Sequence, residues 1–200
     1  MQALERDLLA MLRRSGLSDL SHVKILEVGC GTGQWMMECV KWGARPENIA
    51  GMDLLPARIA EAQRRCPAAM QLWCGSATHL DTPDGTFDLV LQLTVFSSIL
   101  DVEMRRQVAS EMCRVLKPGG HILWYDLRMD NPTNPDVRGI STREILQLFP
   151  GCQIFSRRAT LAPPLSRILA PRLRWLCHGV EWLKIFNTHA LGLIRKPEDG

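Results

Sequence analysis

The chain has 200 residues, of which 46% are hydrophobic and 22% are charged, and its formal net charge is +3. This composition is too apolar for a disordered chain. The small net charge does not indicate nucleic-acid binding, because proteins that bind nucleic acid concentrate basic residues in a patch or stripe. A chain of this length is predicted to fold as one domain over residues 1–200.

Residues 1–20 are predicted to form an N-terminal helix. Leucines there are mixed with charged residues, which is typical of an amphipathic helix and not of a signal peptide. The sequence contains no uninterrupted run of about 18 apolar residues, so no membrane-spanning helix is predicted. The seven cysteines lack the spacing of a zinc site and several lie in apolar runs, so we expect reduced thiols and no metal. These features favour a cytoplasmic protein.

Strands and helices alternate through the middle of the chain. Apolar runs predict strands over 23–28, 49–52, 70–74, 87–93 and 122–126, helices over 34–42, 56–65 and 102–116, and a turn over 117–120. A helix over 142–149 and strands over 153–158 and 190–194 follow. The pattern indicates an α/β fold with a doubly wound, mostly parallel seven-stranded sheet, helices on both faces and a helical insertion before the last strand.

The segment from Glu27 to Gly33 lies between a predicted strand and a predicted helix and reads Glu-Val-Gly-Cys-Gly-Thr-Gly. Glycines at such a position permit a tight backbone turn and the close approach of a ligand. The dinucleotide fingerprint GxGxxG would require Gly or Ala where this chain has Gln34, so an NAD-dependent oxidoreductase is the weaker interpretation. A purely structural turn is the other alternative.

This segment resembles the first motif, (E/D)xGxGxG, of the class I S-adenosylmethionine-dependent methyltransferases. Asp53, at the end of the second predicted strand, matches the acidic residue with which that family binds both ribose hydroxyls. Ser76 departs from the family, since many relatives have Asp there for the adenine amine. The resemblance covers roughly half of the chain and implies S-adenosylmethionine as cofactor. It implies these binding residues: Glu27, Gly29, Cys30, Gly31, Gly33, Asp53, Leu54, Ser76, Ala77 and Gln92.

Two of these carboxylates also have structural interpretations. Asp53 could cap the helix that begins near Pro56. Glu27 could be a buried structural carboxylate, but burying a carboxylate is costly unless a charged or hydrogen-bonding partner accompanies it. The ammonium group of the implied cofactor would supply such a partner.

The acceptor is expected to bind beyond the fourth and fifth strands, with residues 21–127 forming the cofactor core and 128–200 the substrate side. Asp126, with Tyr125 beside it, is the candidate general base or acceptor-orienting group; the alternative is a strand-end Asp that caps a turn. For His189, near the start of the last strand, a structural role is favoured. The loop after the fourth strand lacks Asn-Pro-Pro-Tyr and clustered acids, which disfavours base methylation of nucleic acids and metal dependence.

Residues 163–186 form a basic, aromatic and apolar segment before the last predicted strand. Such a segment can lie on a membrane surface or cover a lipid-linked substrate, and the alternative is a helical cap on the core. The sequence thus predicts a methyltransferase of a biosynthetic pathway that acts on a hydroxyl of a small-molecule or glycan-type acceptor. The alternatives are a non-catalytic adenosylmethionine-binding or membrane-surface scaffold protein and, more weakly, the oxidoreductase.

Overall fold

The computed structural model describes residues 2–130, 134–161 and 187–198. The predicted insertion over 163–186 lies outside these ranges. The helices are α1 Gln2–Arg14, α2 Gln34–Lys41, α3 Pro56–Arg65, α4 Val102–Val115 and α5 Thr142–Leu148. The strands are β1 Ile25–Val28, β2 Ile49–Asp53, β3 Gln71–Cys74, β4 Phe87–Leu93, β5 Leu116–Leu127, β6 Gln153–Leu161 and β7 Asn187–Arg195.

The seven strands form one sheet in the order β3-β2-β1-β4-β5-β7-β6. Strand β7 runs antiparallel to both of its neighbours, whereas β1 to β5 pair in parallel. The predicted doubly wound, mostly parallel sheet is therefore confirmed. The strand order reverses between β1 and β4. Open α/β sheets bind ligands at such a point, in the crevice at the carboxyl ends of the two flanking strands.

Each face of the sheet has its own hydrophobic core. One face packs against α1, α2 and α3, with Leu8, Met36 and Ile59 buried in it. The opposite face packs against α4 and α5, with Met112 and Ile145 buried there. Because β1 and β4 are covered on both faces, they are almost continuously apolar, which is the pattern that made them recognisable as central strands.

Two predicted elements end differently in the structure. The N-terminal helix stops at Arg14 and not at residue 20, because Gly16 takes a left-handed conformation (φ 84°) and the backbone N–H of Leu17 donates to Leu12 O at 2.9 Å. The predicted turn over 117–120 belongs to β5, which begins at Leu116. The register between β4 and β5 shifts at this point, so these residues form an irregular stretch of strand.

Three of the cysteines expected to be core thiols, Cys30, Cys39 and Cys66, are buried, whereas Cys74 is exposed. Cys177 lies outside the described residues. No helix in the described parts of the chain is long and apolar enough to cross a membrane.

Candidate functional site

The glycine loop leaves β1 through three left-handed glycines, Gly29, Gly31 and Gly33, with φ of 71°, 55° and 80°. Their surroundings differ. A Cβ on Gly33 would lie 2.3 Å from the Cys66 sulfur, so this glycine lets α2 begin close against α3. A Cβ on Gly29 would lie 2.4 Å from Val95 Cγ2. A Cβ on Gly31 would have no atom within 4 Å, so the space next to Gly31 is open to a ligand.

Asp53 joins this loop to the end of β2. Its Oδ2 accepts a hydrogen bond from the Gly31 N–H at 2.9 Å and its Oδ1 accepts one from the Leu55 N–H at 3.0 Å. Arg58 Nη1 lies 3.7 Å from Oδ2. A carboxylate has about four acceptor positions, so each oxygen retains capacity for one further donor. Asp53 thus stabilises the loop and can still accept two ligand hydroxyls. The alternative that Asp53 caps α3 is wrong, because the N-cap position is Leu55 and no described side chain caps this helix.

A cavity of about 370 Å³ lies at the carboxyl ends of β1, β2 and β4. This volume falls within the range of about 300–1,000 Å³ that is typical of cofactor and ligand sites. Five of the predicted binding residues line it: Gly29, Asp53, Leu54, Ser76 and Ala77. The other five are not among its lining residues: Glu27, Cys30, Gly31, Gly33 and Gln92.

Glu27 lies in β1 and is almost completely buried. Burial, and secondarily the charge of Asp53, raise the pKa of its carboxyl well above the ordinary value, while the backbone N–H of Met36 in the first turn of α2 opposes this shift. Its Oε2 has no hydrogen-bond partner among the described residues. A buried acceptor without a partner is rare and unfavourable, so this oxygen is suited to a donor or cation supplied by a ligand.

Asp126 is fully buried and does not line the cavity. Its Oδ2 accepts hydrogen bonds from Gln92 Nε2 at 3.0 Å and from the Ser97 N–H at 3.2 Å, and its Oδ1 accepts one from the Leu127 N–H at 3.0 Å. Burial raises the pKa of the Asp126 carboxyl, although these hydrogen bonds act in the opposite direction. The contacts of Asp126 are those of a residue that positions the loop after β4.

Tyr125 also lies outside the cavity lining. Its ring stacks on that of His189 with a centroid distance of 4.9 Å and an interplanar angle of 2°. His189 thus packs within the sheet, which fits the structural role favoured for it.

The loop after β4 has two features that sequence reasoning missed. Thr94 has a φ of 61°, an unfavourable conformation for a β-branched residue, and its N–H donates to Tyr125 O at 2.7 Å. Strained backbone of this kind concentrates at functional sites, and Thr94 lines the cavity. A φ value has no signal in the sequence.

The second feature is Arg105, which is fully buried in α4. It donates to the backbone oxygens of Ile99 and Leu100 and to the carboxylate of Glu144 on α5. Arg138 binds the same carboxylate, and its backbone N–H donates to Ser97 O at 2.8 Å. The loop is therefore fixed by Asp126 on one side and by this arginine network on the other. In the sequence, Arg105 looks like an ordinary solvated helix residue.

The chain was compared with known proteins. Residues 25–120 match the family described as "Methyltransferase domain". A demethylmenaquinone methyltransferase of Lactiplantibacillus plantarum is 30% identical over 125 residues, which cover 60% of this chain and 51% of that protein. A phthiotriol/phenolphthiotriol dimycocerosates methyltransferase of Mycobacterium ulcerans is 33% identical over 147 residues, covering 71% and 53%. The chain spans about half the length of these two relatives.

Among solved structures, the cyclase SpnF matches with a TM-score of 0.72 and 21% identity, covering 99% of this chain and 82% of that one. At this identity the match shows the fold alone. The family match and the relatives are more specific: residues 25–120 belong to the class I S-adenosylmethionine-dependent methyltransferases. The cofactor of that family is S-adenosylmethionine, and the buried unpartnered oxygen of Glu27, the open space at Gly31 and the remaining acceptor capacity of Asp53 fit it.

Proposed function

We propose that this chain transfers the methyl group of S-adenosylmethionine to an ionisable hydroxyl on a small, lipophilic acceptor. The observation that carries the proposal is the cavity at the switch point of the sheet, where Gly29, Asp53 and Ser76 meet the strained loop at Thr94. When bound, the cofactor supplies an electrophilic methyl group on a sulfonium. The remaining tasks of the protein are to align the two reactants and to exclude water.

Five of the predicted cofactor residues have a proposed role in binding. Asp53 accepts the two ribose hydroxyls with its remaining acceptor positions. Leu54 and Ala77 contact the adenine, with the Ser76 hydroxyl in place of the usual carboxylate. Glu27 accepts from the ammonium group through its unpartnered oxygen, which the bound cation keeps ionised.

The lipophilic character of the acceptor is supported by the distribution of exposed apolar side chains. Among the described residues, eight large hydrophobic side chains are exposed, and six of them follow the carboxyl ends of β2, β4 and β5. We call this group the apolar rim: Leu54, Leu55, Leu100, Val102, Met104 and Met129. Exposed apolar side chains gathered at one site mark interaction surfaces. The two relatives described above are named after lipophilic compounds, which supports the same class.

The choice of an ionisable hydroxyl follows from the position of Asp126. A general base must lie within hydrogen-bond reach of the proton that it removes. Asp126 is engaged by three N–H donors outside the cavity, so the proposal gives it a positioning role. A phenolic hydroxyl, with a pKa of about 10, loses its proton far more readily than an alcohol and requires less help from a base.

Labelled methyl transfer from S-adenosylmethionine to four acceptors tests this proposal: nonylphenol, phenol, nonanol and bulk transfer RNA. Nonylphenol should be methylated with the lowest KM, phenol with a higher KM, and nonanol not at all. Methylation of the RNA alone would contradict the proposal. Cofactor binding without transfer to any acceptor would instead support a non-catalytic binding protein.

A pair of variants tests the apolar rim. Leu100→Ser with Val102→Ser should raise the KM for nonylphenol and leave the KM for S-adenosylmethionine unchanged, because neither side chain lines the cofactor cavity. Leu146→Ser is the matched control, since Leu146 is also exposed (53%) but lies on α5 outside the rim. An equal effect of the control would contradict the assignment of the rim.

A further inference from the structure

A second cavity lies at the amino-terminal ends of the parallel strands, on the opposite side of the molecule from the cofactor site at their carboxyl ends. It has a volume of about 480 Å³, and an adjoining cavity of about 220 Å³ shares Arg14, Phe155 and Leu193 with it. We call the two together the α1 groove. It lies between the last turn of α1 and the amino-terminal ends of β5 and β6, where β7 ends. None of its residues has a role in the methyl-transfer proposal.

Strand register explains how the floor of the α1 groove is built. His121, Arg195 and Gln153 pair across β5, β7 and β6 and form one row. Leu193 and Phe155 belong to the next row on the same face, because residues two apart along a strand point the same way. The floor therefore has a polar row at the sheet edge and an apolar row beside it.

The polar end of the groove carries basic side chains. Arg195 of the polar row and Arg14 of α1 line it, together with His121, which is only 9% exposed. Burial, followed by the charge of Arg195, lowers the pKa of His121, so its imidazole is neutral near pH 7 and has one N–H to donate. Arg195 forms an ion pair with Glu198, whose carboxylate is largely exposed. No described carboxylate lines either cavity.

The apolar row carries an exposed aromatic side chain. Phe155 is 53% exposed on the edge strand β6, although aromatic side chains contribute most when buried. Met11 of α1 and Leu193 line the adjoining cavity together with it. Because α1 lies over the sheet here, the apolar part of the groove has the sheet as its floor and α1 along one side, and it can hold a single chain or ring.

We propose that the α1 groove binds a free anionic amphiphile, meaning a molecule with a carboxylate or phosphate head and one short acyl or aromatic body. The head contacts Arg14, Arg195 and the His121 N–H, and the body covers Phe155 and Leu193. A charge-assisted hydrogen bond to an arginine fixes the head, while burial of the Phe155 ring contributes hydrophobic affinity. The proposal does not depend on the proposed methyl transfer.

The probe is decanoate, titrated into the full chain by calorimetry, with the site mapped by NMR shifts of the Phe155 and His121 rings. Decanoate should bind and change the NMR shifts of both rings. Decanol, which lacks the anionic head, and acetate, which lacks the apolar body, should each bind at least about tenfold more weakly. Arg195→Gln and Phe155→Ser should each weaken decanoate by about tenfold. Arg14→Gln gives a third variant at an exposed side chain that does not threaten folding.

Arg106→Gln is the matched control, since Arg106 is exposed on α4 at the other face of the sheet and pairs with Glu103. It should leave decanoate binding unchanged. Equal affinity for decanol and decanoate would overturn the proposal, and so would an affinity for decanoate that none of the three groove variants changes. So would binding to vesicles of phosphatidylglycerol through Phe155 in the absence of decanoate binding, because that outcome would assign the groove to a membrane surface.

Discussion

Replacing Glu27 with Gln tests how the buried end of the cofactor site recognises its ligand. The substitution keeps the size of the side chain and removes its charge. If Glu27 accepts from the ammonium group of S-adenosylmethionine, its loss should weaken binding by about 1.5–3 kcal/mol, the scale of a hydrogen bond to a charged group. This corresponds to a roughly 10- to 150-fold increase in Kd.

Three ligands separate this role from general damage to the site. S-adenosylmethionine and S-adenosylhomocysteine both carry the ammonium group, so calorimetry should show a similar weakening for both. Methylthioadenosine has the same nucleoside without the amino-acid part, and its affinity should not change. Equal weakening of all three ligands would refute the assignment of Glu27 to the ammonium group.

The same variant has a pH signature in the free protein. Because the pKa of Glu27 is raised, the folded protein holds this proton at pH values where the unfolded chain has released it. The free energy of unfolding therefore falls as pH rises above the ordinary pKa of 4.5, until Glu27 ionises in the folded state. Within this window Glu27→Gln should gain stability relative to wild type by about 1.36 kcal/mol per pH unit. A difference that does not vary with pH would contradict the raised pKa.

Three further predictions concern the loop after β4 and the glycine turn. Asp126→Asn should lower stability by about 1–3 kcal/mol in chemical denaturation and reduce turnover with little change in cofactor affinity, because one of the two carboxylate oxygens that accept these N–H groups is replaced by an NH2 donor. Unchanged stability would contradict its positioning role. Arg105→Met should cost about 3–5 kcal/mol, since it removes the donor to the buried backbone oxygen of Ile99 and leaves Arg138 as the remaining arginine on Glu144, and a loss below 1 kcal/mol would show that the network is dispensable. Gly33→Ala should unfold at a lower temperature than Gly31→Ala, because only Gly33 is in contact with Cys66, and Cys66→Ala should restore part of that loss.

The sheet could be predicted from sequence because its central strands are buried on both faces. The segments that form β1 and β4 are apolar almost throughout and end at glycines or turn residues. The predicted bounds of β4 agree with the structure. The stretch from Lys117 to Gly120 could not be placed in this way. A Pro-Gly-Gly sequence indicates a turn locally, whereas tertiary pairing of Leu116 with Phe87 draws it into β5.

Part of the site could be predicted because particular residue types at particular positions indicate its chemistry. Glycines and Asp53 at fixed places after strands indicated the cavity that Gly29, Asp53 and Ser76 line. The role of Asp126 depends instead on which neighbours surround its carboxylate, and that is set by the packing of β4 against β5. The burial of Arg105 likewise depends on the position of α5, far away in sequence, so no local pattern could reveal it.

The most direct test of the account is calorimetric titration of wild type and Asp53→Ala with S-adenosylmethionine, S-adenosylhomocysteine and NAD. Wild type should bind both adenosyl ligands and not NAD, and Asp53→Ala should weaken them by about 1–3 kcal/mol, since two hydrogen bonds to a carboxylate are lost. Binding of NAD in preference to the adenosyl ligands, or no binding of the adenosyl ligands at all, would contradict the central claim.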